Sequence, residues 1–309
     1  MILLVTINKK NKAMNDYSIK QLELVSGIKA HTIRIWEKRY GLFTPRRTNT
    51  NIRRYTDLDV QLILNISLLT RNGYRISKVA NKSSEEIAQL ILQLTSQQQL
   101  SEKNNLEPFI QSMLSLNQSG FKSQLKQKIE ELGLEKTFEN ILAPLLYRIG
   151  ILWQIRMINS IHEHFVSNII RQTIISHTEL LKEPKSSSPL FLYFLPEGEF
   201  HEIGLLFYNY VGKKMGFRTL YLGQSTPVDD IIQIAKTVKP AIILTSSSTK
   251  ISKVNLTNLI KTLQNNIPNL CLFISSSIVT EENIEIPKNV NVVSSLESFT
   301  KKLSSLKIR

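Results

Sequence analysis

The spacing of apolar positions changes character along this chain. From residue 14 to about 82, short amphipathic stretches alternate with tight breaks. Ser18 is placed to cap a helix carrying Leu22 and Val25 on one face, Gly27 supplies a turn, and His31-Thr32 opens a second helix. Ile33 and Trp36 face inward on that helix, and Arg34, Lys38 and Arg39 face outward. Residues 83–104 begin with "SSEE", a helix start with Glu86 in its first turn, and pass into "SQQQLSEKNN", which reads as a polar linker. Residues 105–183 keep a helical period almost throughout, predicting helices over 106–117, 119–132, 134–154 and 158–182, with a kink at Pro144. After "KEPKSSSP", apolar runs of four to six residues alternate with helix-length segments. They predict strands at 190–195, 218–222, 241–245, 270–275 and 290–294, with helices at 203–215, 227–237 and 254–265 and a C-terminal helix. Such alternation implies βαβ units and a parallel sheet covered on both faces.

The fold class expected is therefore multidomain: a helical winged helix-turn-helix at 14–82, a helix and linker at 83–104, a four-helix bundle at 105–183, and an α/β Rossmann-like, flavodoxin-like domain at 188–309. Residues 1–13 read as a disordered tail. A length of 309 residues suits two or three domains, and a hydrophobic content of 42% suits packed cores.

Charge sharpens this picture. The formal charge is +14, and residues 14–82 hold 13 Lys or Arg against 5 Asp or Glu, so +8 of it lies in under a quarter of the chain. That concentration points to a polyanionic partner. The one cysteine, Cys271, excludes a disulfide framework and a Cys-type zinc site and is expected in a core. No apolar run reaches the ~18 residues of a membrane span. The N-terminus lacks a signal peptide's order of basic, apolar and cleavage regions, and a cytoplasmic protein is expected.

A two-helix unit with a glycine turn and a basic second helix suits entry into the major groove. Behind it, Arg46, Arg47, Arg53 and Arg54 bracket a polar hairpin in "TPRRTNTNIRRYTDLDV". A basic hairpin beside a recognition helix is a wing whose arginines reach phosphates or a narrow minor groove. Over nearly seventy residues, "YSIKQLELVSGIKAHTIRIWEKRYGL", the wing and "LILNISLLTRNGYRISKVA" resemble the winged-helix DNA-binding domain of the MerR family. "IRIWEKRYGLFTPRRT" is closest to the subgroup whose sensor is a cobalamin domain. The resemblance implies that His31, Thr32, Arg34 and Trp36 belong to the recognition helix and Arg53, Arg54 and Tyr55 to the wing. Tyr17 and Tyr55 are each equally suited to packing and to phosphate contact.

Two further patterns carry chemistry. "LPEGEFHEIGLL" holds Glu199, His201 and Gly204 spaced E-x-H-x-x-G, where a predicted strand meets a predicted helix. A histidine there points off the carboxyl edge of a parallel sheet, where open α/β folds bind ligands. A carboxylate two residues earlier can hold one ring nitrogen and leave the other to bind a metal. The glycine lets a bulky group approach the backbone. This spacing is similar to the lower-ligand motif of cobalamin-binding domains, which implies His201 as a cobalt ligand backed by Glu199. The second pattern, W-x9-E-H, resembles the cap bundle of light-sensing cobalamin-dependent repressors of the MerR family. The resemblance implies Trp153 over the upper face of the cofactor and Glu163 and His164 beside an adenosyl group. The residue after the tryptophan is often a histidine in those photoreceptors, and here it is Gln154, a poor cobalt ligand.

That family lines the slot for the cofactor's nucleotide tail with a Ser-x-Leu segment and a Gly-Gly pair. Ser246 matches the serine, Ser248 stands at the leucine position, and Ser275 and Ser276 replace the glycines, which implies a reshaped slot. The reading is a non-enzymatic transcriptional regulator, expected as a repressor. Its partners are double-stranded operator DNA and other copies of itself in a dimer or tetramer, with no membrane. Its cofactor is cobalamin, with adenosylcobalamin favoured and light as the releasing signal. The alternatives are a MerR-type regulator with a cofactor-free sensor answering a protein or another ligand, and a cobalamin-dependent methyl carrier or mutase subunit. The second leaves the winged helix unexplained.

Overall fold

The structure is a computed structural model and describes residues 17–99, 106–246, 253–267, 270–275, 287 and 290–306. The tail at 1–13, Ser248 and Ser276 lie outside the described residues. The described residues form two compact units. One combines those up to Leu114 with Leu145–Glu163, and the other combines Ser115–Pro144 with those from His164 onward.

In the first unit, helix α1 (Ile19–Ser26) starts at Ser18, whose hydroxyl accepts from the backbone of Gln21 while the Gln21 side chain returns to the Ser18 backbone. This reciprocal capping satisfies two backbone donors that a helix start leaves over. Gly27 ends the helix in the left-handed region at φ 72°, a conformation glycine adopts without strain. Helix α2 (Ala30–Tyr40) follows with Ile33 fully buried. Strands β1 (Arg46–Arg47) and β2 (Arg53–Arg54) pair antiparallel as a hairpin. Helix α3 (Asp57–Arg71) is capped by Thr56 and Asp59 and carries Ile63, Ile66 and Leu69 into the core. Short α4 (Ile76–Val79) leads to α5 (Ser84–Gln99). Helix α5 runs on over "SQQQ", part of the stretch expected to be linker. Glutamine is a good helix former, and no Gly or Pro interrupts the segment. Helix α6 spans Glu107–Leu114.

Helix α7 (Gln118–Thr137) is broken at Gly133 (φ 79°, ψ 159°), which places the break between the second and third predicted helices. The third continues without a break from α7 through a π-helical turn at Phe138–Leu142 into α8 (Ala143–Gln154), so the irregularity expected at Pro144 takes the form of a π turn directly before it. Helix α9 covers Ser160–Glu179.

The second unit is built on five parallel strands: β3 (Leu190–Pro196), β4 (Arg218–Thr226), β5 (Ile242–Ser246), β6 (Cys271–Ser275) and β7 (Val290–Val293), in the order β4-β3-β5-β6-β7. Helices α10 (Ile203–Lys214), α11 (Val228–Val238) and α12 (Lys253–Asn266) and a last helix, Leu296–Ser305, complete it. Phe191, Phe194, Leu244 and Phe273 are fully buried, as befits strands covered on both faces. Counted within this sheet, the strand order is 2-1-3-4-5, and its chain reverses direction of winding between β3 and β5. The α7–π-turn segment packs on this layer through Phe138 stacked on Phe207 at 3.8 Å and an ion pair between Glu135 and Lys214.

Gly212 shows how closely helix and sheet approach. A Cβ there would run into the hydroxyl of Tyr193, which is fully buried on β3 and has nowhere to move. Gly212→Ala is expected to destabilise the sheet unit by about 1–3 kcal/mol. A thermal unfolding midpoint equal to that of the unaltered chain would show that the layer yields instead.

Candidate functional site

The basic face is organised by one acidic residue. Glu37, in the middle of α2, accepts from Arg53 Nε through both carboxylate oxygens at 3.1 Å and from the Tyr55 hydroxyl at 3.3 Å. The wing is thereby tied to the second helix. Tyr17 and Tyr55 bridge backbone to backbone at 2.8 Å in both directions, and the Tyr17 hydroxyl donates to Asp57 at 2.7 Å. Both tyrosines are packing residues: Tyr55 is fully buried, and burial followed by the Glu37 charge pushes its phenol up to about 12. Burial and the Asp57 hydrogen bond raise the Tyr17 phenol as well. The expectation that Tyr55 touches DNA is corrected, because its hydroxyl serves Glu37 instead of a phosphate. Arg53 is half-buried and neutralised by Glu37.

What remains outward is a consistent set. His31, Arg34, Lys38 and Arg39 are exposed on α2, Thr32 and Trp36 are half-buried beside them, and Arg46 and Arg47 are exposed on β1 with Arg54 half-buried opposite. Arg47 Nη1 donates to Asn51 Oδ1 at 2.7 Å, which braces the hairpin tip, where Asn51 takes φ 63°. Sequence reasoning passed over Glu37. Its signal was a lone acid in the strongly basic run "IRIWEKRY".

The second constellation lies where β3 ends. The loop after Pro196 folds back so that Glu199, 1% exposed, puts Oε1 at 2.6 Å from His201 Nδ1, 2.9 Å from the His201 backbone nitrogen and 3.0 Å from that of Phe200. The end of β4 holds this loop: Gly198 N donates to Ser225 Oγ at 3.1 Å, Ser225 N to the Glu199 carbonyl at 3.1 Å, and Gln224 Nε2 to the Phe200 carbonyl at 2.9 Å. A carboxylate on Nδ1 fixes the tautomer and makes Nε2 the basic, ligating nitrogen. His201 itself is 22% exposed, with its Nε2 buried on the inner side of the ring. A Cβ built on Gly204 would meet nothing within 4 Å, and no left-handed φ demands glycine there. Internal packing therefore does not account for that glycine, and the space over it is open.

Ser246 and Ser275 end β5 and β6 at the same carboxyl edge. Ser246 Oγ donates to the Ser275 carbonyl at 3.0 Å, so this hydroxyl ties two strand ends together. With His201 after β3 and Ser246 after β5, the pair flanks the point where the winding reverses, the place where such sheets bind ligands. A residue absent from the sequence-based set stands next to His201: Glu202, 7% exposed, accepts from Arg171 Nε at 2.5 Å and from the Tyr221 hydroxyl at 2.7 Å. It joins α9, α10 and β4 through one carboxylate. Burial, then Glu202, raises the Tyr221 phenol, and Glu202 raises the Arg171 guanidinium.

Trp153 is half-buried at the end of α8, Gln154 beside it is 2% exposed, and Glu163 and His164 are neighbours in the first turns of α9. Trp153 and Glu163 fall in the first unit and His164 and His201 in the second. Among the described residues no helix is long and apolar enough to cross a membrane.

Residues 17–86 match the model of the MerR HTH family regulatory protein, and residues 106–175 match that of the B12 binding domain. The chain is 29% identical over 233 residues to the HTH-type transcriptional repressor CarH of Myxococcus xanthus, covering 74% of this chain and 77% of that one. It is 28% identical over 230 residues to the HTH-type transcriptional repressor CarA of the same organism, covering 74% and 75%. Among solved structures, the Methanosarcina barkeri monomethylamine corrinoid protein superposes with a TM-score of 0.53 at 16% identity, over 65% of this chain and 98% of that one. That likeness shows a common fold.

Proposed function

We propose that this chain is a cytoplasmic transcriptional repressor that senses adenosylcobalamin, a reading supported by its matches to the MerR helix-turn-helix and B12 binding domain models and by its similarity to CarH and CarA. The observation that carries the proposal is the buried Glu199 on His201 Nδ1. A lone imidazole so oriented suits a metal that brings its own macrocycle of nitrogen ligands. The open space over Gly204 suits the bulk of such a group. When bound, cobalamin would supply a cobalt for the His201 imidazole to ligate and, in its adenosyl form, a light-sensitive cobalt–carbon bond.

The protein's part is to orient and to exclude. Glu199 keeps the proton on Nδ1 and offers Nε2 to the metal. Ser246 and Ser275 line the slot at the sheet edge for the nucleotide tail. Trp153, Glu163 and His164 would cover an adenosyl group from water. On the DNA side, Arg34, Lys38 and Arg39 enter a groove while Arg46 and Arg47 take phosphates. Loading the sensor favours an assembly of two or four copies, and multivalent binding then strengthens repression. No residue is assigned a catalytic role.

A cofactor-free sensor is favoured by one observation: the Ser246 hydroxyl is already engaged by the Ser275 carbonyl. Gel filtration with visible absorbance, after incubation with adenosylcobalamin in darkness, separates the two readings. Co-elution of absorbance with a larger species is expected, and green light should return the smaller one. Absorbance that elutes apart from the protein would favour the cofactor-free regulator. Gln154 makes a stable light-made adduct on that side chain unexpected, so a bound cofactor without a persistent photoproduct fits the same proposal.

A further inference from the structure

The carbonyls at the end of a helix have no partners inside it and must find them elsewhere. At the end of α8 they find α3, the helix behind the wing. Gln61 Nε2 donates to the Trp153 carbonyl and Asn65 Nδ2 to the Gln154 carbonyl, both at 3.3 Å. Arg156 answers in the other direction. Its Nε donates to Gln61 Oε1 at 2.8 Å and its Nη2 to the Leu58 carbonyl at 3.2 Å. The Gln61 amide is thus used at both ends by the same helix terminus.

Arg156 holds this position in an unfavourable backbone conformation. Its φ is 63°, the left-handed region that glycine usually fills after a helix. The bonds from Arg156 N to the Trp153 carbonyl at 3.0 Å and from Met157 N to the Leu152 carbonyl at 2.9 Å close the turn in the way glycine-ended helices close. Glycine would suit the turn better, and only arginine has the guanidinium that reaches α3. Strain kept at a residue whose side chain bridges two elements points to a use for the bridge.

A second face of α3 carries the connection onward. Gln61 and Asn65 share one face, and Ser67 and Arg71 lie about a third of a turn round the helix. Ser67 Oγ donates to the Ser26 carbonyl at 2.7 Å and Arg71 Nη2 to the same oxygen at 3.3 Å. Ser26 ends α1, directly before the turn into α2. One rigid helix therefore grips the end of α8 on one side and the helix-turn-helix on the other. The grip is also incomplete: Gln154 Nε2 and Asn65 Oδ1 are buried with no hydrogen-bond partner among the described residues. An unsatisfied donor and acceptor lower the net gain from the contact, which suits a contact that opens and closes.

We propose that Gln61, Asn65 and Arg156 form a latch that couples the helix end bearing Trp153 to the DNA-binding helices. Its use in sensing rests on the cofactor reading above. Coupling is reciprocal, so a ligand that steadies the Trp153 end steadies α3, and DNA that steadies α3 favours the ligand.

Hydrogen–deuterium exchange on the full chain tests this with Arg156→Gly and Gln61→Leu. The glycine variant relieves the left-handed strain, so it keeps the turn while losing the bridge. Without ligand, amides of 57–71 and 150–157 should exchange faster together, by about tenfold, while β3, β5 and β6 are unchanged. Unchanged exchange over 57–71 in both variants would overturn the latch. With adenosylcobalamin, the unaltered chain should gain protection over both segments and the variants over 150–157 alone. Equal gains over 57–71 in chain and variants would also overturn it. If adenosylcobalamin leaves the visible spectrum of the mixture unperturbed and no amide protected, the cofactor reading fails, and the ligand-free comparison still decides the latch.

Discussion

Replacing His201 with alanine should abolish cobalamin binding and leave the fold standing. The ring is 22% exposed and belongs to no hydrophobic core, so its loss opens no large cavity although its Nε2 is buried. Glu199 keeps two backbone donors, Phe200 N and His201 N, after the imidazole has gone. The stability cost should then be that of one lost charged hydrogen bond, about 1.5–3 kcal/mol. Glu199→Gln should act in the same direction but more weakly. Loss of a partner behind a metal-bound histidine costs about 10–100-fold in affinity, and the metal ligand itself should cost more. Visible spectra of titrations with adenosylcobalamin, beside a thermal unfolding curve for each variant, check both quantities. Retention of the cofactor at full strength by His201→Ala would make the ligand assignment wrong whatever happened to stability.

Paired loss of Arg46 and Arg47 should weaken duplex binding uniformly across sequences and flatten its salt dependence. Each phosphate contact adds about 0.9 to the slope of log affinity against log salt, so removing two should lower it by about 1.8. Both side chains are exposed, and the change in melting temperature is expected to be small, limited to the loss of the Arg47–Asn51 hydrogen bond at the hairpin tip. Arg53→Ala should behave differently. Its Nε is bound to Glu37, so the variant loosens the wing and leaves Glu37 as an uncompensated acid among cations. Fluorescence anisotropy with a short duplex of arbitrary sequence, at several salt concentrations, separates the two. An unchanged slope in the paired variant would remove the wing tip from the interface.

These two sites differ in how much of each is legible in the order of residues along the chain. The E-x-H-x-x-G spacing is local, and the contact it implies closes within two residues, as Glu199 Oε1 and His201 Nδ1 do. The hairpin of Arg46–Arg47 and Arg53–Arg54 is legible for the same reason: its paired residues are close in sequence and the polar tip between them turns readily. Tyr55 is not legible in this way. Its neighbours in sequence are arginines, and only the packing of β2 on α2 decides that its ring goes inward and its hydroxyl to Glu37, eighteen positions away. Glu202 was passed over because its partners, Arg171 and Tyr221, come from two other elements.

The division has one physical cause. Helix periods, caps, glycine turns and the alternation of apolar runs act over a few residues, so the sequence alone determined a basic helix-turn-helix with its wing, a long helical middle and a parallel α/β layer with a histidine at its carboxyl edge. Contacts that close long loops leave no local mark, because any apolar strand can pair with any other and any amide can cap a distant helix. The tertiary structure alone decided the strand order β4-β3-β5-β6-β7, which sets His201 and Ser246 at the carboxyl ends of two adjacent strands. It alone set Gln61 and Asn65 against a helix end about ninety positions further on, where the carbonyls of Trp153 and Gln154 had to find donors.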